Sequence, residues 1–100
     1  MDFNEDEFVQ RLVFLRQTFR NMSQREIGRA LQINGYSDVE GQRKRCHCEN
    51  LVKLCNFYGV TADWLLTGDP TTLKDSVRQQ IDREVMRQVQ RTTSISKAAI

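Results

Sequence analysis

Residues 1–40 repeat one helix-start signal three times. Asn4 is followed by Glu7, Ser23 by Glu26 and Ser37 by Glu40, in each case three positions on. In such a capping box the short polar side chain accepts from the backbone N–H three residues ahead. The Glu side chain in turn accepts from the N–H of the capping residue. Phe3 with Phe8, and Met22 with Ile27, are spaced to staple the first two boxes shut. Behind the first box Phe8, Leu12, Leu15 and Phe19 recur at i, i+4, i+7 and i+11, one face of a helix over about Glu5–Arg20. Five Gly and one Pro in 100 residues leave few helix breakers, so the pattern predicts an all-α fold around one modest core.

The remaining elements follow from the same logic. Ile27, Ala30 and Leu31 form the buried stripe of a short second helix. Ile33-Asn34-Gly35 is expected to end it, because Asn and Gly tolerate left-handed backbone. A third helix is expected over about Ser37–Arg45, with Tyr36, Val39, Arg43 and Cys46 at helical spacing and Val39 as its apolar anchor. Leu51, Leu54, Cys55 and Tyr58 share one side of a fourth helix that Gly59 stops. Thr61 caps a short fifth helix, and Gly68-Asp69-Pro70 closes it. Thr71 or Thr72 is expected to open a sixth, in which Leu73, Val77, Ile81, Val85 and Val89 recur at every fourth position.

Charge is unevenly spread. The first ten residues carry Asp2, Glu5, Asp6 and Glu7 and no base, whereas residues 11–53 carry nine Lys or Arg against four acids. Much of that basic excess sits in Gln42–Arg45, inside the stretch "GYSDVEGQRKRCHCEN", which suggests a polyanionic partner. No apolar run approaches membrane-spanning length, and no basic start leads into an apolar segment. With an odd number of cysteines, three, this predicts reduced thiols and a cytoplasmic location in a bacterial host, close to the nucleoid.

The second and third helices, joined by a short break, have the spacing of a helix-turn-helix, in which one helix props the next into the DNA major groove. The stretch "SQREIGRAL" followed by "NLVKLCNFYGVTADWLLTGDP" resembles the lambda-repressor-like, Xre/Cro-type helix-turn-helix family, and within it the N-terminal DNA-binding domain of phage CI-type repressors. Ser23-Gln24, Ile27 and Gly28 fit the opening of the family's second helix, and Tyr58-Gly59-Val60 with Asp63–Gly68 fits its later pattern. The chain departs in the middle: Gln32 stands where the family usually has Gly, and Ser23–Leu51 is about two residues shorter than the common pattern.

The resemblance implies a five-helix domain over residues 1–70 that binds a palindromic double-stranded DNA operator as a dimer. Gln24 matches a family position that contacts phosphate. With Val39 buried, Tyr36, Ser37, Glu40, Gly41 and Lys44 become candidates to face the groove, with Asp38 also among the expected DNA-binding residues, while Gln42, Arg43 and Arg45 would grip the backbone or reach a base. Asp38 and Glu40 are also readable as cap chemistry at a helix N-terminus. The Leu73, Val77, Ile81, Val85 and Val89 ladder is expected to pair between chains as a homodimerisation helix over residues 71–91, ahead of a flexible tail at 92–100; packing back onto its own domain is the alternative. By that expectation Ile81→Asp yields a folded monomer.

Other chemistry finds little support. Cys46-His47-Cys48 are consecutive and diverge in any regular element, and no second His exists, so neither metal nor cofactor is expected. No nucleophile–base pair or phosphate loop is recognisable, and no enzymatic activity is expected. The expected function is therefore a phage-type transcriptional regulator, a repressor by preference. The competing expectation is a protein that uses the same fold to bind and inhibit another regulator, as antirepressor or antiactivator, or to act as an antitoxin.

Overall fold

The computed structural model describes the backbone of residues 3–98 and the side chains of residues 3–89, and its regular elements among these residues are all helices. Its elements are α1 (Glu5–Leu15) continuing into a wider π turn (Arg16–Arg20), α2 (Gln24–Leu31), α3 (Tyr36–Glu40), α4 (Cys48–Tyr58), α5 (Ala62–Thr67) and α6 (Asp75–Ala98). Among these residues no helix is long and apolar enough to cross a membrane.

The first start signal acts through its cap and staple, the second as a full capping box. Asn4 Oδ1 accepts from the Glu7 N–H at 3.0 Å, and the Phe3 and Phe8 rings meet with centroids 5.7 Å apart. Ser23 and Glu26 close a full capping box, with both bonds at 3.1 Å. The third signal does not form: α3 starts after Gly35 without a side-chain cap, and Glu40 faces the interior instead.

The helix ends explain the short α3. At its exit the Gln42 N–H returns to the Val39 carbonyl at 3.1 Å and the Arg43 N–H to the Asp38 carbonyl at 2.8 Å, with Gln42 left-handed at φ 59°. That is a Schellman motif, which satisfies the terminal carbonyls and turns the chain away. The third helix therefore stops at Glu40 rather than near Arg45, and Gln42–Arg45 is a loop. The same motif ends α2, where Gln32 at φ 56° donates to the Arg29 carbonyl and Ile33 to that of Gly28. Gln32, not Asn34, is the left-handed residue at this exit, and Gly35 takes a second left-handed position before α3. A non-glycine residue there costs about 1–2 kcal/mol relative to Gly.

The core gathers Phe8, Leu12 and Leu15 of α1, Ile27 of α2, Ile33 of the turn, Tyr36 and Val39 of α3, Leu54 and Tyr58 of α4, and Trp64 and Leu65 of α5. Arg11 ties α1 to α5, donating to the Leu65 and Leu66 carbonyls at 2.8 and 3.1 Å. Leu73 and Ile81 belong to this same core, with Val77 packed beside them, so the front of the ladder packs on its own chain. Leu73 lies before α6 rather than within it, since that helix begins at Asp75. Val85 and Val89, 44% and 53% exposed, are left open together with Met86. Helical backbone continues to Ala98, into the segment expected to be a tail, but side chains from residue 90 onward lie outside the described set.

Candidate functional site

Helices α2 and α3 approach closely because residue 28 has no side chain. A Cβ at Gly28 would stand 3.3 Å from the Ile33 carbonyl oxygen and 3.5 Å from Tyr36 Cβ. Along the open side of this pair runs a groove lined by Gln24, Arg25, Arg29, Gln32, Asn34 and Ser37. Arg25 and Arg29, four positions apart, project from the exposed face of α2.

Beneath the groove lies a buried charged cluster. Arg16, at the start of the π turn, grips Glu40 of α3 with two bonds, Nε to Oε2 at 2.9 Å and Nη2 to Oε1 at 3.0 Å. Its third nitrogen donates to the Met22 carbonyl at 3.1 Å, and Gln24 Nε2 donates to Glu40 Oε1 at 2.9 Å. The side chains of Arg16 and Glu40 are only 12% and 3% exposed. Burial pushes the Glu40 carboxyl pKa up, but the bonds from Arg16 and Gln24 help to outweigh it, and the pKa lies below the ordinary value. The Tyr36 and Tyr58 hydroxyls are buried without satisfying any hydrogen-bond geometry. Burial, followed by the nearby Glu40 charge, raises both phenols, Tyr58 to about 12. These groups therefore stay neutral beside one ionised pair, and the pair locks α1, α2 and α3 together.

The residues expected on a DNA-facing surface divide into three sets. Tyr36 and Glu40 are buried, which removes them from any exposed face; the five-residue helix turns both inward. Gln24 is half-buried and holds Glu40, while Ser37 is exposed on the groove. The loop residues are exposed but engaged by the chain's own acids. Gln42 donates to Asp6 at 2.7 Å, Arg43 Nε to Asp38 at 3.0 Å, and Arg45 Nε lies 3.6 Å from Glu5. Lys44 is exposed, with its ammonium over Gly35. Asp38 lies in the first turn of α3 without a side-chain cap bond, and its carboxylate pairs with Arg43 on the surface.

Arg25 and Arg29 were not singled out from the sequence, although the helical wheel that buries Ile27 already puts both on the opposite side of α2. Arg16 gave no signal, because nothing local marks the Arg that opens the π turn as the partner of a Glu 24 residues away.

The cysteines are free thiols. Burial, then the neighbouring Cys55 and Cys48, raises Cys46 to about 11, and burial raises Cys55, so both remain protonated near neutrality. Among the described residues no three His, Cys, Asp or Glu side chains converge as metal ligands would. Comparison with family models, curated proteins and solved structures found no match to this chain.

Proposed function

We propose that this chain is a sequence-specific double-stranded-DNA-binding regulator of the lambda-repressor-like helix-turn-helix type, a phage-type repressor that acts as a homodimer. The observation carrying this reading is the α2–turn–α3 unit, closed through Gly28 and bordered on its open side by Arg25, Arg29, Asn34 and Ser37. Cations and small polar groups along a helix pair suit phosphate contacts from α2 and base or sugar contacts from the start of α3. The Gln42–Arg45 loop adjoins α3, and its bonds to Asp6, Asp38 and Glu5 are surface interactions that a phosphate can displace at little cost. The open Val85, Met86 and Val89 stripe on α6 supports pairing with a second copy.

The test is a titration of the pure protein against the duplex upstream of its own coding sequence, beside a scrambled duplex, at two salt concentrations. Preference for the native duplex that falls steeply with salt is expected. Equal affinity for both duplexes, even at low salt, would sink the DNA reading.

A second reading has its own support. The five-residue α3 offers a short reading surface, and internal acids already occupy Gln42, Arg43 and Arg45. Both features fit a protein that docks on another regulator, as an antirepressor or antitoxin does.

A further inference from the structure

A cavity of about 370 Å³ opens on the flank of the domain, between the start of α1, the Gln42–Cys46 loop and the end of α5. Its walls are Phe3 and Phe8, Val39, Leu51 and Leu66, with Cys46 beside them. Its polar margin is Glu5, Lys44, Arg45 and Thr67; the Lys44 ammonium sits by Gly35, outside the cavity, which leaves Arg45 as the cation at its mouth. Apolar walls with a few convergent polar groups at this volume are the usual form of a small-molecule site.

Arg45 gives the site its selectivity. Its side chain is 79% exposed, and its recorded contact among the described residues is through Nε, 3.6 Å from Glu5. A long, single-point surface pair contributes little and is readily displaced. A carboxylate can instead meet the guanidinium with two parallel bonds, a stronger and more directional arrangement. We propose that this cavity binds a small amphipathic carboxylate, a medium alkyl or aryl chain with one carboxyl group. The chain lies against Phe3, Phe8, Leu51 and Leu66, and the headgroup pairs with Arg45. Val39 of α3 and Arg45 of the loop share this wall, so occupancy steadies the segment that follows α3. The site stands on its own geometry and does not depend on what the α2–α3 face binds.

The cysteines supply an internal readout. Cys46 lines the cavity, whereas Cys48 is exposed and is not among its lining residues. The intact protein is treated with a maleimide while octanoate is titrated in, and modification at each cysteine is followed by peptide mass spectrometry. Octanoate at ten times its Kd is expected to slow Cys46 modification about tenfold by mass action, with Cys48 unchanged. Octanamide should protect far less, and Arg45→Glu, a change at an exposed side chain, should abolish protection while the far-UV spectrum is retained. Equal slowing at Cys46 and Cys48, no saturation, or protection as strong with octanamide would overturn the proposal. So would a Cys46 rate that rises on dilution and ignores octanoate, which would assign the cavity to a second copy of the chain.

Discussion

Replacing Glu40 tests whether a buried ion pair holds α3 in place. Glu40 accepts two charge-assisted bonds from Arg16 at 2.9 and 3.0 Å and a third from Gln24 at 2.9 Å. Removing one member of a buried pair strands the other charge, at a cost of about 3–5 kcal/mol. Arg16 keeps its bond to the Met22 carbonyl and is 12% exposed, so Glu40→Ala should fall at the lower end, about 3 kcal/mol. Glu40→Gln keeps the shape and an acceptor but loses the charge, and should cost about 1.5–3 kcal/mol. Either is a large share of the roughly 5–15 kcal/mol that stabilises a domain of this size. Replacing both partners together, Arg16→Met with Glu40→Leu, should recover much of the loss, because no charge is then left buried.

The assay is urea unfolding followed by circular dichroism, repeated across pH. The Glu40 pKa lies lower in the folded than in the unfolded chain. Its contribution is therefore complete above the unfolded value of about 4.3 and is lost as pH falls through the folded one. Wild type should lose stability on acidification from about pH 5 more steeply than Glu40→Gln, which has no carboxylate to protonate. A Glu40→Gln midpoint equal to wild type, with the same pH profile, would refute the clamp.

Four further outcomes follow from the packing and the charges. Gly28→Val should destabilise by about 1–3 kcal/mol through overpacking against Ile33 and Tyr36, read as a lower urea midpoint. Gln32→Gly should stabilise by about 1 kcal/mol by relieving a left-handed side-chain residue, and an unchanged midpoint would count against the Schellman exit. Ile81→Asp, offered by the sequence as a monomerising change, should instead unfold the domain because Ile81 is in the core; Val85→Asp with Val89→Asp should give the folded monomer in sedimentation velocity, and a surviving dimer refutes pairing through α6. If the α2–α3 face meets phosphate, Arg25→Ala with Arg29→Ala should weaken binding to native and scrambled duplexes alike and flatten the salt slope by about 2, whereas unchanged binding would remove both residues from the interface.

Helix starts proved readable from sequence because their chemistry is local. Asn4, Ser23 and Thr61 each cap the helix they precede, since the donor and acceptor involved lie within three residues. Helix exits were harder. Gln32 and Gln42 take left-handed backbone that their residue type does not advertise, and the gain comes from carbonyls satisfied by the next residue's N–H. That is why α3 was expected to reach Arg45. Ser37 with Glu40 shows the opposite failure: the local signal is intact, but Arg16 and Gln24 offer the carboxylate charge-assisted bonds in the interior, which outweigh a surface cap. Long-range pairing, invisible to periodicity, decided which polar side chains the α2–α3 face keeps.

The loop's charge pairing bears on both proposed kinds of partner. Glu40 is held in a buried, multiply bonded pair and is out of reach of any ligand. Asp6, Asp38 and Glu5 instead sit in exposed contacts with Gln42, Arg43 and Arg45, each contributing about 0–1 kcal/mol. A phosphate approaching the loop would compete with a carboxylate already in place, and rising salt weakens both contacts together. If the chain binds DNA, the loop cations should therefore add less to its salt dependence than their number suggests, while Arg25 and Arg29 should add more. A protein partner meets the converse arrangement: paired charges of both signs, able to exchange one carboxylate for another without exposing an unpaired ion. On the DNA-binding proposal the N-terminal acids would temper how readily the loop engages a polyanion, and α2 rather than the loop would supply the grip.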